Sequence, residues 1–458
     1  MYTFIFDIGK TNIKGYVLNE QSETVWTESQ TNTSVKGQDY TYIDIESVEN
    51  WLLSALKKAN QRFNISAINI STHGACAVLI DQENKLLMPV MDYECETPEQ
   101  ISAEYDLIRP AFNQSFSPNL SAGLNLGRQL WWLKKYNPKT FSNVKYVFMY
   151  PQYWVWKLTG IAVNEVTSLG CHTDLWLPEQ QDYSSLVDKL GIRHAMPPLV
   201  AAYDTIGGLS NKVQALTGIN QPCQVFAGIH DSNASFARYL SNSIHQEFTV
   251  VSTGTWIITM SMGGNIKRLN EKKDMLANVC VLNQPIACAR FMGGREFELI
   301  CQQTSANATD NVSITDIQDL IDQQLFALPA FEPSSGPFRG SQSKITATPE
   351  NGKALATLYL ALMIDYQLSQ LDAKGDIIFG STSKKNPLMC SIIAQLRPQQ
   401  RVVLSGDNAS TVKGAWVLTN WQSWCNREKE INDTAHSPQL ANLNDYRAKW
   451  LTAIEANQ

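Results

Sequence analysis

A strand–turn–strand pattern occurs at the start of the chain and again past its middle, and this repeat limits the folds open to it. Tyr2-Thr3-Phe4-Ile5-Phe6 is an apolar, aromatic run that predicts a strand, and Ile13–Leu18 predicts the returning one. The Gly9-Lys10-Thr11-Asn12 connector is short enough for a hairpin. A P-loop requires a longer glycine-rich loop followed by a helix, and this Gly-Lys-Thr has neither an upstream glycine nor an amphipathic segment after it. The pattern returns as Phe248-Thr249-Val250-Val251, the turn Ser252-Thr253-Gly254-Thr255, and Trp256–Met260. Two such hairpins suggest two related halves facing one shared ligand.

Small polar turns of this kind cradle phosphates through backbone N–H groups and, here, the Thr11 and Asn12 side chains. Asp7, at a strand end, is a candidate for holding hydrated Mg²⁺; it also suits an ordinary turn-forming aspartate. Between the hairpins, Gly228-Ile229-His230-Asp231-Ser232-Asn233-Ala234 joins an apolar strand-like run to a small-residue stretch that opens a helix. A carboxylate at such a junction can accept a proton from a hydroxyl. It can equally cap the helix, for about 1 kcal/mol. Ser232 or Asn233 can take the capping role instead, which frees Asp231.

Strand-like runs alternate with helical ones, such as Val48–Leu56 followed by Ile65–Ile70, which argues for an α/β fold. Trp154 and Trp156 alternate as in a strand, with core packing as their expected role. A hinge is expected at about 238–247, a surface loop from Thr304 to Thr315, and a core helix around Ala354–Ile364. The net charge of −6 argues against a nucleic-acid footprint. Nine cysteines without close pairing suggest reduced thiols, and the N-terminus lacks a signal-peptide pattern, so a cytoplasmic protein with no membrane partner is expected.

Together these segments resemble the FGGY family of carbohydrate kinases, within the actin-like ATPase superfamily, over nearly the whole chain. Asp7-Ile-Gly-Lys-Thr-Asn resembles the family's first phosphate loop, and Ser252-Thr-Gly-Thr-Trp its second. Gly228-Ile-His-Asp231 resembles the segment carrying the general base, and Ser71–Asp81 the sugar-site strand and its successor. Pro151–Gly160 is similar to the family's "PDY…LTG" segment, with Gln152 in place of the usual Asp. Ile377–Leu388 resembles the adenosine-binding strand and turn but keeps only Gly380 of its glycines. Within the family the echo is to rhamnulokinases, from which Cys76 and Asp92-Tyr93-Glu94 depart.

The resemblance implies two actin-like, ribonuclease H-like α/β lobes with an interlobe cleft: residues 1–242 for sugar and the first phosphate loop, 243–458 for nucleotide. It implies ATP and Mg²⁺, with Asp7 at the metal and Asp231 as base. Gly9, Thr11, Asn12, Lys14, Thr253, Gly254, Thr255, Gly380, Ser381 and Asn386 are expected at the nucleotide. His73, Gly74, Glu94, His230, Asp231 and Asn233 are expected at the sugar. The acceptor expected is a ketose such as L-rhamnulose, with L-fuculose, xylulose, ribulose and glycerol open, and a homodimer is the assembly to look for. A non-catalytic nucleotide-binding module of the same fold is the alternative.

Overall fold

The computed structural model describes residues 1–457 apart from 241–246, 307–310, 381–385, 406–409 and 428–432. The expected hinge falls largely outside the described residues; Arg238–Leu240, within it, forms a short 3₁₀ turn. The chain divides into two compact units. One comprises Met1–Ile244, Ala277–Pro285 and Ala409–Lys429; the other comprises His245–Leu276, Ile286–Asn408 and Glu430–Gln458.

In the first unit, strand Tyr2–Ile8 pairs antiparallel with Asn12–Leu18, which pairs antiparallel with Thr24–Thr31. On its other side Tyr2–Ile8 runs parallel to Ile65–Thr72, which is parallel in turn to Gln224–Phe226 and to Ile229–His230. Alternation assigns the faces. Phe4, Phe6, Ile8, Ile68 and Ile70 join one core cluster with Val48, Leu52, Ala55 and Leu56 of helix Ile45–Asn60. Those helix positions recur at three- and four-residue spacing, so one stripe of the helix covers the sheet. Asp44 starts the helix by accepting a hydrogen bond from Ser47 N.

The opposite face of this sheet carries helix Ser410–Thr419. Asn69, which points away from Ile68 and Ile70, donates from Nδ2 to Ala415 O at 2.9 Å. That helix also lies against helix Asp231–Ala237. There Gly414 approaches so closely that a Cβ would sit 1.7 Å from Ala234 O.

The second unit repeats the plan. Phe248–Ser252 pairs antiparallel with Ile257–Met262, which pairs antiparallel with Pro285–Phe291. Phe248–Ser252 also runs parallel to Asp376–Phe379, which is parallel to Val402–Leu404. Helix Gly352–Gln370 precedes the crossover strand, as helix Ile45–Asn60 does in the first unit. It is buried on nearly all sides, as expected of the Ala354–Ile364 run. Among the described residues no helix is long and apolar enough to cross a membrane. An antiparallel meander whose first strand takes parallel partners is the ribonuclease H-like arrangement, present here twice.

Two local expectations are corrected. Trp154 and Trp156 lie in helix Tyr150–Thr159, which has a proline in its first turn and ends on Gly160 at φ 81°. Positions two apart are about 200° apart around a helix, so Trp154 is buried while Trp156 stacks at the rim on Phe148. The 304–315 loop is shorter than expected, because a Ser313–Asp316 capping box starts a helix at Ile314.

Gly414→Ala is expected to destabilise the protein by about 1–3 kcal/mol, because the contacted group is backbone and cannot rotate away. Equilibrium denaturation measures this.

Candidate active site

The parallel register brings three strand ends together. Asp7 lies opposite Ser71, and Thr72 lies opposite both Ile8 and His230. Asp7, His73 and Asp231 therefore stand at the carboxyl ends of neighbouring strands. Burial, and after it the nearby Asp231 carboxylate, push the Asp7 carboxyl up to about 6, against the opposing pull of Lys14. Lys14 sits directly across from Asp7 in the hairpin, on the same face of the sheet.

The first turn closes with Gly9 N donating to Asn12 O at 2.9 Å. Asn32 fixes it from behind: its Nδ2 donates to Gly9 O and its N to Thr11 O. The exposed tip carries the Thr11 and Asn12 side chains, joined at 3.1 Å. Lys10 turns away from this tip toward Ser34, Asp92 and Glu94.

Asp231 is the first residue of helix Asp231–Ala237. The residue before it, His230, makes no side-chain cap. The expectation that Ser232 or Asn233 caps the helix is corrected. Both lie inside it, and it is Asp231 Oδ1 that accepts from Ser232 N at 2.5 Å. Asn233 instead reaches back, its Nδ2 3.1 Å from His230 Nδ1 and 3.4 Å from Thr167 O. An amide nitrogen on Nδ1 leaves the His230 proton on Nε2, which faces Asp231 Oδ1 at 3.3 Å. Burial lowers the His230 pKa, so the ring is neutral. Gly74 permits this placement, since a Cβ there would lie 2.9 Å from His230 Nε2.

His73 is buried between Tyr93 and Tyr150, with ring centroids 5.3 and 5.1 Å away. Its Nδ1 is 3.0 Å from Gly74 O, a pure acceptor, so Nδ1 carries the proton and Nε2 is a bare acceptor without a partner among the described residues. Burial lowers its pKa as well. Glu94 stands exposed at the rim of the same cluster.

Residues absent from the sequence expectation hold this arrangement. Gln152 Nε2 donates to Ala227 O at 2.8 Å and Gly228 O at 3.1 Å. An ionised Asp could make neither bond, so the departure from the family pattern has a physical role. Asn69 Oδ1 accepts from Gly228 N at 3.2 Å. Thr167 Oγ1 accepts from His230 N at 3.2 Å while donating to Glu165 Oε2 at 2.5 Å. Burial pushes the Glu165 carboxyl up to about 8. These side chains are scattered through the chain without periodicity; only the glutamine substituted at 152 gave any signal.

In the second unit, Thr253, Gly254 and Thr255 form the turn between Phe248–Ser252 and Ile257–Met262, with Gly254 and Thr255 exposed. The turn is braced by helix Gly293–Gln303: Gly294 N donates to Thr255 O at 3.2 Å, and a Cβ on Gly294 would sit 2.3 Å from Gly254 O. Gly380 lies beside this strand, its N donating to Val251 O at 3.2 Å. Asn386 caps helix Pro387–Leu396, accepting from Met389 N, and bonds Thr357 Oγ1. Ser381, with Lys384 and Lys385, lies outside the described residues.

Removing the like charge by Asp231→Asn is expected to lower the Asp7 pKa from about 6. Carboxyl-detected NMR titration checks this; an unmoved value would mean that burial alone sets it.

The comparisons agree with this geometry. Residues 2–237 match the FGGY family of carbohydrate kinases, N-terminal domain, and residues 245–428 match carbohydrate kinase FGGY, C-terminal domain. L-fuculokinase of Escherichia coli (strain K12) is 25% identical over 265 residues, 56% of this chain and 55% of that protein. The chain thus spans about half the length of that relative. Xylulose kinase of Staphylococcus xylosus is 25% identical over 395 residues, covering 84% of this chain and 78% of that protein. The crystal structure of a carbohydrate kinase from Novosphingobium aromaticivorans superimposes with a TM-score of 0.91 at 30% identity, covering 98% of this chain and all of that one (100%). With both family domains matched in order and the duplicated fold in place, this chain belongs to the FGGY family of carbohydrate kinases.

Proposed function

We propose that the protein is an ATP-dependent sugar kinase that transfers the γ-phosphate of ATP to a hydroxyl of a small ketose in carbohydrate catabolism. The observation that carries this reading is the placement of Asp231 near Asp7 at the ends of two strands that flank Ile65–Thr72 and run parallel to it, with the neutral rings of His73 and His230 beside them. L-rhamnulose, L-fuculose, xylulose, ribulose and glycerol are the candidate acceptors; the L-fuculose and xylulose of the relatives' names favour the ketoses among them.

In the proposed reaction Asp231 accepts the hydroxyl proton as the sugar oxygen bonds to the γ-phosphorus. The bond from that phosphorus to the bridging oxygen breaks, and ADP leaves. His230 Nε2–H, by donating to Asp231 Oδ1, orients the carboxylate. His73 Nε2 accepts from a sugar hydroxyl, and Gly74, Glu94 and Asn233 complete the sugar side. Gly9, Thr11, Asn12 and Lys14 attend the phosphates, as do Thr253, Gly254 and Thr255 in the second unit. Gly380, Ser381 and Asn386 are assigned to the nucleoside end.

Among the described residues no group of three or more His, Cys, Asp or Glu is arranged for a metal. Asp7 with Asp231 nearby fits Mg²⁺, which takes few carboxylates and keeps much of its water. When bound, the ion would neutralise phosphate charge. A cytoplasmic homodimer completes the proposal.

Asp231→Asn is expected to lower sugar-dependent turnover about 10²–10⁴-fold while leaving ATP affinity nearly unchanged. A panel of ketoses and polyols scored for ADP release tests the activity, and no response to any sugar would favour the non-catalytic module. In the wild type, kcat/KM is expected to fall as the pH drops through about 6, where Asp7 becomes protonated and loses its hold on a cation. A pH–rate profile flat through that region would remove Asp7 from the mechanism.

A further inference from the structure

The sugar-kinase reading leaves open which sugars are admitted, and Lys10 bears on this; the inference rests on that reading. Lys10 belongs to the first turn, yet its ammonium is committed elsewhere. It hydrogen-bonds Asp92, lies 3.0 Å from Ser34 Oγ and pairs with Glu94 Oε2 at 3.4 Å. An ammonium has three donors, and three acceptors face them. The anchor is firm: Asp92 is buried, also accepts from Ser34 Oγ, and takes Glu94 N at 2.9 Å.

Between the two acids, Tyr93 sets its ring 5.3 Å from His73 and 5.7 Å from Lys10 Nζ. His73 is 6% exposed, and its Nε2 is a buried acceptor with no partner among the described residues. The acceptors left for a ligand are His73 Nε2 and the carboxylates of Glu94 and Asp231, since both Asp92 oxygens are taken within the cluster. The Lys10 donors are taken, and His230 Nε2–H faces Asp231. A ligand matched to this surface brings O–H donors. An acid group brings only acceptors and adds a like charge beside carboxylates.

We propose that Lys10, tied down by Ser34, Asp92 and Glu94, is a specificity residue whose commitment restricts the substrate to uncharged polyhydroxy compounds and rejects sugar acids. A free lysine at this turn would invite a carboxylate; a tethered one presents its acidic partners instead.

The test uses the full-length protein with ATP, an uncharged ketose and a ketoaldonate of matched hydroxyl configuration. The same pair is titrated by calorimetry with a non-hydrolysable ATP analogue present. The expected result is a kcat/KM about 10²-fold higher for the uncharged sugar. Glu94→Lys is expected to narrow that ratio about tenfold through the KM of the acid. Lys10→Met is expected to raise KM for the uncharged sugar without helping the acid. Equal use of the acid, or a ratio unmoved in Glu94→Lys, overturns the proposal. No turnover with any sugar sinks the kinase reading, and calorimetry then decides separately. Binding of the uncharged sugar alone upholds the proposal; comparable binding of the acid, or of neither, overturns it.

Discussion

The parallel register of three strand ends is the constraint on which the site depends. Asp7, His73 and Asp231 come from segments more than sixty and then more than one hundred fifty positions apart, and no local structure joins them. They meet because Tyr2–Ile8, Ile65–Thr72 and Ile229–His230 lie side by side and stop level. A one-residue slip in any of these pairings would turn its side chains to the opposite face of the sheet. The apolar alternation of Phe4, Phe6, Ile68 and Ile70 against helix Ile45–Asn60 opposes that slip. Core packing thereby fixes the geometry of the candidate site.

Holding two carboxylates near one another in a partly dehydrated place has an energetic cost, expressed in the raised Asp7 pKa. The surroundings meet it with a rigid polar frame. Gln152 and Asn69 grip the Ala227–Gly228 backbone, and Thr167 with Glu165 grips His230 N. Such buried polar groups are stabilising only when satisfied. Among the described residues Gln152 Oε1 and Glu165 Oε1 of that frame are buried without a partner, as is His73 Nε2 in the cluster the frame holds.

The hairpins, the exclusion of a P-loop, the duplicated plan and the Asp231 junction were all legible in the sequence, because each is a local pattern of apolar alternation and small turn residues. The polar frame was not. Gln152, Thr167 and Glu165 act through long-range contacts whose partners carry no periodic mark. The Trp154/Trp156 reading failed because a two-residue spacing of large aromatics fits a strand, while Pro151 and Gly160 bound a helix. The capping reading of Ser232 and Asn233 failed because the strand runs directly into the helix, leaving no residue free to cap. Lys10 carries no mark in the sequence beyond that of a turn residue, because its partners Ser34 and Asp92 lie far along the chain.

Helix Ser410–Thr419 adds a temporal consequence. It covers one face of the first sheet and bonds to Asn69, although it is encoded some three hundred forty positions later. While the polypeptide is still being made, that face has no cover until the ribosome has passed this region. The earlier-made unit is thus among the last to be sealed, and cutting the gene at the boundary between the two family domains would leave that sheet face, with Asn69 on it, bare.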